Sequence, residues 1–336
     1  MIRPRKNHSA IGDRAGNAGI IASFAIAFAG ILFGALSAYV SEHGAVAKAA
    51  KTEAMSVALR EGVVFNQAQT ARAKIIRRVL TSADLERLPA PEYVAKGAAR
   101  PKIIIIFDDM GVDRRRSKLA MSLPGPLTYS FLPYARDVDK LANQARAAGD
   151  EIMLHLPMEP QGEADPGPHA LKLKMTGADF IKELEWNLAR FEGYVGVNNH
   201  MGSKLTTDEA AMKTVLAYLN HKDLFFMDSV TTGDTIIREA GLQIGARVYS
   251  RDVFLDAETG SVTAVKRQLE LVERIARETG YVVAICHPRQ ETIEALGPWL
   301  ASAPARGLDL VSVSALADIE NVQSPAVMAS APALRL

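Results

Sequence analysis

The segment that most constrains the fold is Ile103–Phe107, a run of five apolar residues that ends in two adjacent carboxylates, Asp108 and Asp109. Four consecutive β-branched residues without polar alternation predict a strand that is buried on both faces, as in a parallel sheet covered by helices. Two neighbouring like charges oppose each other's ionisation, so a fold tolerates them most easily at a strand end beside a cation. The carboxyl ends of parallel strands are also where α/β folds build their sites. The pair therefore predicts either a functional site or a solvated strand end in which one carboxylate caps the next helix.

Strand-like and helix-like segments alternate through the rest of the domain. Strands are predicted at Ile103–Phe107, Leu127–Leu132, Glu151–Leu156, Tyr194–Asn198, Leu224–Met227, Gln243–Tyr249, Tyr281–Cys286 and Leu308–Val313. Helices are predicted at Arg114–Met121, Val138–Ala148, Ala178–Phe191, Asp208–Asn220, Thr235–Ala240, Val262–Thr279 and Thr292–Ala301. The expected helix stops are Gly149, Gly241 and Gly280, and the expected amino-terminal caps are Thr207 and Ser261.

This alternation indicates a single α/β domain, either a (β/α) barrel or an open doubly wound sheet. No glycine-rich phosphate-binding fingerprint follows any predicted strand, which argues against a nucleotide ligand and favours the barrel.

Six predicted strands deliver titratable or amide side chains to the same edge. These are Asp108 and Asp109; His155 and Glu159; Asn198, Asn199 and His200; Asp228; Arg251, Asp252 and Asp256; and His287 and Arg289. Three histidines at equivalent ends, accompanied by carboxylates, favour a metal site over a merely polar barrel rim. The remaining histidines, His8, His43, His169 and His221, are interpreted as solvated. The single cysteine, Cys286, excludes an intramolecular disulfide and a zinc cluster of cysteines.

The charge of the chain is unevenly distributed. Residues 1–17 carry a net charge of +3, residues 18–40 carry no charge and residues 41–100 carry +4, so that residues 101–336 carry −6 within an overall +1. The acidic domain argues against a nucleic-acid partner. Ala18–Val40 is long enough to cross a bilayer as a helix, and the basic residues before it predict an amino terminus in the cytoplasm.

Five segments are predicted: a cytoplasmic basic tail (1–17), a transmembrane anchor (18–40), an Ala/Lys/Arg-rich stalk (41–98), the α/β domain (99–320) and a disordered tail (321–336). The alternative to an anchor is a secretory signal cleaved near Ala45–Ala47, but the uncharged stretch exceeds the usual signal core of about 7–15 residues. In either case the domain is expected outside the cytoplasm. In a cell with two membranes it is expected in the periplasm, anchored to the inner membrane by a single pass.

The strand-end motifs resemble the divergent polysaccharide deacetylase family, a branch of the NodB-type carbohydrate deacetylases. The matching stretches are Phe107–Asp109, His155–Pro160, Val197–Ser203, Phe226–Ser229, Arg251–Asp256 and His287–Arg289, and they span nearly all of residues 101–316. The resemblance implies a distorted (β/α) barrel and a divalent metal ion, usually zinc. It also implies the removal of acetyl groups from an N-acetylated envelope glycan, such as peptidoglycan or another polysaccharide.

The resemblance also implies roles for individual residues. The first aspartate of the pair, Asp108, corresponds to the family's base, and Asp109 corresponds to a metal ligand. The wider family has two histidine ligands four residues apart; here His155 takes the first position, Glu159 takes the second, and His200 is the candidate replacement ligand. The late-strand histidine that serves as acid falls on His287.

Amide hydrolysis requires an electrophile, an activated water and a proton for the leaving amine. We expect a metal ion held by Asp109, His155 and His200 to supply the first two, with Asp108 as base at a lowered pKa and His287 as acid. Glu159 is either a further ligand or the ion-pair partner of a basic neighbour such as Arg289. The remaining candidates are expected to orient His287 (Asp228 or Asp252), to fix the base (Arg251) or to face the substrate (Asn199, Arg289).

Two other functional classes fit the same residues. One is a glycan-binding or envelope-assembly protein on a catalytically decayed scaffold, which the glutamate at position 159 favours. The other is a metal-dependent phosphoesterase, which requires cations to hold phosphate, and only Arg251 and Arg289 offer themselves.

Overall fold

The computed structural model describes residues 100–323, with side chains as far as residue 319. The predicted basic tail, anchor and stalk, and most of the predicted carboxyl-terminal tail, lie outside the described residues. Within residues 100–323 no helix combines the length and apolar character needed to cross a membrane.

The described strands form one parallel sheet. They are β1 (Lys102–Met110), β2 (Thr128–Phe131), β3 (Glu151–Met158), β4 (Gly196–Met201), β5 (Phe225–Asp228), β6 (Val248–Ser250), β7 (Val253–Phe254), β8 (Tyr281–Cys286) and β9 (Asp309–Leu310). Their order is β6-β5-β4-β3-β2-β1-β8-β7, and β9 pairs with the amino end of β1.

The two edge strands show that this sheet is curled. β6 and β7 lie at opposite ends of the strand order, yet only Arg251 and Asp252 separate them in sequence. Such a link spans at most about 11 Å, so the two edges must approach each other. The N–H of Arg251 bonds to Asp228 O on β5 and that of Asp252 bonds to Val283 O on β8. The fold is therefore a curled half-barrel, which confirms the predicted distorted barrel.

The alternation of side chains along β1 explains where the site lies. Ile103, Ile105 and Phe107 pack outward with the helices, whereas Ile104 and Ile106 join a separate cluster inside the curled sheet. Fully burying each such side chain contributes about 1.5–3 kcal/mol, so the register cannot slip by one residue. Asp108 continues the inward-facing row at the carboxyl end of the strand.

Helices cover the outer face of the sheet. They are α1 (Arg114–Ala120), α2 (Val138–Ala147), α3 (Gly177–Leu188), α4 (Glu209–His221), α5 (Ile237–Ile244), α6 (Val262–Thr279) and α7 (Gln290–Ser302), and α8 (Ala315–Gln323) follows β9. Ser261 caps α6 as predicted, because its Oγ accepts a hydrogen bond from Ala264 N. The cap of α4 is Asp208 and not Thr207, since Asp208 Oδ1 accepts from Ala211 N at 2.9 Å.

The sequence prediction was wrong around residues 241–247. Helix α5 continues past Gly241 to Ile244 and ends at Gly245, so the first part of the predicted strand Gln243–Tyr249 is helix and turn. Gly241 has a packing role, because a Cβ at this position would lie 2.6 Å from Val248 Cγ2. The short strand β7 and the helix α8 were not predicted.

Helix α8 and the segment before it close the end of the half-barrel opposite the site. Val313, Leu316 and Ile319 belong to the inward-facing apolar cluster, and Val313 N bonds to Thr128 Oγ1 at the start of β2. The interior is thus apolar at this end and polar at the end where Asp108 lies.

Candidate metal and acid–base site

The two carboxylates that end the predicted first strand have different surroundings. Asp108 faces the interior and is only 3% exposed. Asp109 has a left-handed φ of 56°, which aspartate tolerates better than most residues. The backbone at Asp109 therefore separates two carboxylates that the sequence places side by side.

Three side chains from β1, β3 and β4 converge beside Asp109. Its Oδ1 lies 2.9 Å from His200 Nδ1 and 3.3 Å from His155 Nε2, and these two nitrogens are 3.3 Å apart. Ligands about 2.1 Å from a tetrahedral zinc ion lie about 3.4 Å from one another. Asp109 Oδ1 is buried without a hydrogen-bond partner among the described residues, so the nearby nitrogens do not satisfy it. The three residues fit a divalent metal ion.

Asn198 on β4 orients His155 and Asp108 together. Its Nδ2 donates to Asp108 Oδ1 at 2.7 Å and to Ser229 Oγ at 3.1 Å. Its Oδ1 accepts from Ser130 Oγ at 2.5 Å and from His155 Nδ1 at 2.9 Å. Because the amide oxygen faces the histidine, Nδ1 carries the proton in the neutral form of His155, and the lone pair of that form is on Nε2, toward Asp109. This is the tautomer that a metal ligand needs.

Burial and the neighbouring rings shift the two carboxylates in opposite directions. Burial raises the pKa of Asp108, and His155, His287 and Asn198 offset only part of that effect. Burial also acts to raise the pKa of Asp109, but the imidazoles of His155 and His200 outweigh it and hold that pKa well below its usual range. The lowered pKa expected for Asp108 depends on the charge of a bound metal ion, which would act against this effect of burial.

His287 lies on the other side of the carboxylate pair and is held by Asp256. Its Nδ1 is 3.1 Å from Asp256 Oδ1, and its backbone N–H donates to Asp256 Oδ2 at 2.8 Å. Thr292 Oγ1 donates to the same Oδ2. Burial acts to lower the pKa of His287, but the Asp256 carboxylate outweighs it and raises that pKa. The other ring nitrogen, Nε2, lies 3.7 Å from Asp109 Oδ2.

Glu159 does not join the metal-type cluster. Its Oε1 pairs with Lys204 Nζ at 2.6 Å, and its Oε2 accepts from Leu173 N at 2.6 Å. Both oxygens therefore hold loops that follow β3 and β4. Of the two interpretations of Glu159, the structure supports the ion pair, although the partner is Lys204 and not Arg289.

The two aspartates expected to orient His287 make hydrogen bonds to other groups. Asp228 accepts from Val230 N at 2.7 Å and from Thr235 Oγ1 at 2.9 Å. Asp252 accepts from Val283 N at 2.8 Å. The expected orienting carboxylate exists, but it is Asp256.

Arg251, Arg289 and Asn199 also fix loops. Arg251 donates to the carbonyls of Ser229 and Val230, and Arg289 donates to the carbonyl of Asp256. Asn199 donates to Met201 O and accepts from Ser229 N. Both arginines use guanidinium nitrogens on backbone oxygens, which disfavours the phosphate-holding role that a phosphoesterase requires.

Two residues that shape the site, Asn198 and Asp256, were noted at strand ends in the sequence but were assigned no function. Asn198 belongs to the strand-end motif that carries the family resemblance. Because side chains alternate along β4 and Val197 faces outward, Asn198 must face inward, and this alternation could have identified it from the sequence. Asp256 was noted at a strand end, but the irregular chain between β6 and α6 offers no period from which its direction could be inferred.

Comparisons with known proteins agree with this geometry. A family model described as divergent polysaccharide deacetylase matches residues 105–317, a range that contains all the side chains of the site.

Similar proteins include two uncharacterized bacterial proteins and one crystal structure. YibQ of Escherichia coli K12 is 29% identical over 240 residues, covering 71% of this chain and 73% of that protein. A protein of Haemophilus influenzae Rd is 29% identical over 233 residues, covering 69% and 82%. The uncharacterized protein ATU2773 of Agrobacterium tumefaciens C58 is 28% identical with a TM-score of 0.63, covering 66% of this chain and 92% of that one.

Proposed function

Because the chain belongs to the divergent polysaccharide deacetylase family, we propose that it is a metal-dependent hydrolase that removes acetyl groups from an N-acetylated glycan of the cell envelope. The observation that carries the proposal is the pairing of two arrangements around Asp108 and Asp109. A metal-type cluster lies on one side, and a carboxylate–histidine pair lies on the other.

Asp109, His155 and His200 are the proposed ligands. A zinc ion bound by them would polarise the acetamide carbonyl and lower the pKa of a water molecule to about 7. The hydrogen bond from His155 Nδ1 to Asn198 directs Nε2 toward Asp109 and His200, where it would bind the ion.

Asp108 is the proposed general base. Asn198 holds its Oδ1, and its Oδ2 lies 3.7 Å from His155 Nε2, so this second oxygen faces the cluster. Burial raises the pKa of Asp108, and the two imidazoles and the amide donor offset part of that effect; the charge of a bound cation would further favour the ionised form. Oδ2 accepts the proton of the attacking water as the water oxygen bonds to the acetyl carbon.

His287 is the proposed general acid. Its raised pKa favours the imidazolium near neutral pH, and Asp256 fixes Nδ1, so Nε2 is left to donate. That proton goes to the sugar nitrogen as the carbon–nitrogen bond breaks, and acetate and a free amine leave. Asp256 acts through His287 and is a positioning residue.

The proposed location is the periplasmic side of an inner membrane. It is supported by the 23 uncharged residues of Ala18–Val40 and by the basic residues before them. Alkaline phosphatase fused after residue 336 would be active under this topology, whereas an active cytoplasmic reporter at the same position would contradict it.

The first test compares metal content with acetate release. The full chain purified in detergent is measured by elemental mass spectrometry and incubated with an N-acetylglucosamine oligosaccharide, beside Asp109→Ala/His200→Ala and a His221→Ala control. We expect about one zinc-like ion per chain and free acetate from the wild type and the control, and neither from the double variant. Absence of metal from the wild type, even after incubation with zinc, would overturn the proposal.

A second candidate function is glycan binding without hydrolysis. It is supported by Glu159, which uses both carboxylate oxygens on Lys204 and Leu173 where the wider family has a ligand. Metal binding and glycan binding without acetate release, across several acetylated glycans, would favour this candidate.

A further inference from the structure

A partly exposed aromatic surface is formed by the loop after β2, the segment that connects β3 to α3, and α3 itself. We call it the His169 surface and define it by Tyr134, Gly167, His169 and Trp186. The His169 ring stacks on Trp186 with centroids 3.5 Å apart and planes 13° apart, and its side chain remains 37% exposed. Since Trp186 covers one face of the imidazole, the exposure belongs to its opposite face and edge. His169 is therefore solvent-exposed, as the sequence predicts, and its ring is at the same time stacked on Trp186.

His169 is held in an unfavourable backbone conformation. Its φ is +60°, a region that few residues other than glycine adopt. Three contacts keep it there: the Trp186 stack, a 2.8 Å contact from Nδ1 to Glu183 Oε2, and a hydrogen bond from Asn187 Nδ2 to its carbonyl. Strain that the surroundings maintain is found at functional sites more often than elsewhere. The ring is thus fixed in place while one of its faces stays open.

Tyr134 continues this surface toward the catalytic residues. A Cβ on Gly167 would lie 2.7–2.9 Å from the Tyr134 ring edge and hydroxyl, so the Gly167 backbone packs directly on them. Within residues 100–319 the Tyr134 hydroxyl has no hydrogen-bond partner. Burial, followed by the charges of Asp109 and Asp165, raises the pKa of Tyr134 to about 12, so the hydroxyl remains a donor at neutral pH.

The His169 surface and the metal-type cluster lie at the same edge of the sheet. The segment that carries Gly167 and His169 leaves the carboxyl end of β3, the strand that carries His155. It is fixed to that strand by backbone hydrogen bonds from Leu171 N to Pro157 O and from Glu159 N to Leu171 O. Arg190 connects Trp186 to the loop after β2. The Arg190 guanidinium lies over the Trp186 ring, and Arg190 Nε donates a hydrogen bond to Pro133 O.

We propose that the His169 surface is a carbohydrate subsite, which holds a sugar ring of the same glycan chain whose acetamide group lies at Asp109. This inference rests on the proposed function and adds to it a second point of contact with the glycan chain, away from the reacting acetamide group. A pyranose ring offers a flat face of C–H groups and an edge of hydroxyls. The open face of the His169 imidazole can stack on the C–H face of the sugar, and the unpartnered Tyr134 hydroxyl can form a hydrogen bond with a sugar hydroxyl.

Trp186 is a built-in reporter for the test. The chain has two tryptophans, Trp186 and Trp299, so a Trp299→Phe background leaves Trp186 as the only source of indole fluorescence. In this background, full-length protein in detergent is titrated with the N-acetylglucosamine tetramer and, separately, with the monomer. His169→Asn removes the ring but keeps a residue that tolerates left-handed φ. Tyr134→Phe removes only the hydroxyl, and His221→Asn is the control.

We expect a saturable change in Trp186 fluorescence with the tetramer and a much weaker response to the monomer. His169→Asn should weaken tetramer binding about tenfold, equivalent to about 1.4 kcal/mol. Tyr134→Phe should weaken binding by a smaller factor, and the His221→Asn control should not change it. Unchanged tetramer binding by folded His169→Asn, checked by circular dichroism, would overturn the subsite. So would equal binding of monomer and tetramer.

The same variants separate this inference from the proposed reaction. Tetramer binding that depends on His169, without acetate release, would support the subsite and contradict the deacetylase. Acetate release at equal rates from monomer and tetramer, unaffected by His169→Asn, would support the deacetylase and contradict the subsite.

Discussion

Two walls of the candidate site differ in how their polar groups are satisfied. The metal wall consists of Asp109, His155 and His200, and Asp109 Oδ1 is buried there without a hydrogen-bond partner among the described residues. The acid wall consists of Asp256 and His287. There Asp256 Oδ1 contacts the ring, and Oδ2 accepts from His287 N and Thr292 Oγ1.

This difference indicates what each wall is built to do. Buried polar atoms are nearly always paired, so an orphan oxygen facing two imidazole nitrogens indicates a position for a cation. A histidine whose carboxylate partner is itself fully engaged is held in one orientation, as a proton donor requires. The comparison predicts that the two walls can be damaged separately.

The largest expected effect is the loss of the metal wall. His200→Ala removes one of the three proposed ligand atoms and should abolish stoichiometric metal binding, with acetate release falling by at least about a thousandfold. Elemental analysis and a rate assay on the same sample test it. Full metal occupancy in this variant would show that His200 is not a ligand.

Damage to the acid wall should leave the metal in place. His287→Gln should retain wild-type metal content and lose about 10²–10⁴ in kcat, the usual contribution of general acid–base catalysis. Metal loss together with activity loss would contradict the separation of the two walls and the role of His287.

Asn198→Ala is expected to affect the metal wall through the tautomer of His155. Removing the amide leaves His155 Nδ1 and Asp108 Oδ1 without their partner, and the affinity for zinc should fall about 10–100-fold. Competition with a chelator measures the affinity, and ¹⁵N chemical shifts of His155 report the tautomer. An unchanged tautomer would contradict this role of Asn198.

Asp256→Asn sharpens the comparison through pH. The Asp256 carboxylate raises the pKa of His287, so the donating form persists below that raised pKa and is lost as the pH rises through it. The variant should lose activity at a lower pH than the wild type, with about tenfold lower kcat near neutrality. The measurement is a profile of kcat against pH for both proteins. If kcat falls at the same alkaline pH in the variant and the wild type, Asp256 does not raise the pKa of His287.

The smallest effect is expected for Glu159→Gln, outside both walls. It should leave metal content unchanged and destabilise the fold by about 1 kcal/mol, because it weakens the contacts to Lys204 and to Leu173 N. The pKa of Glu159 is lowered, so the stability difference should be present at pH 7 and shrink as the pH falls below about 4.5. Denaturant unfolding at several pH values tests this, and loss of metal would restore Glu159 as a ligand.

The regular strands explain how far the sequence predicts this molecule. The buried run of β1 and the alternation along β3 and β8 predict the positions of Asp108, His155 and His287, because a period of two residues fixes the direction of each side chain. Asp256 could not be chosen over Asp228 and Asp252, because the chain between β6 and α6 has no such period. Lys204 reaches Glu159 only through the turn after β4, a contact 45 residues away in sequence.

The two hydrogen-bonded oxygens of Glu159 have a consequence for which metal ligands this position can accept. A histidine at this position, as in the wider superfamily, would release both Lys204 and the Leu173 N–H before it gained any metal contact. Glu159→His is therefore expected to be destabilising by itself, and it becomes acceptable only if other residues first anchor the two loops.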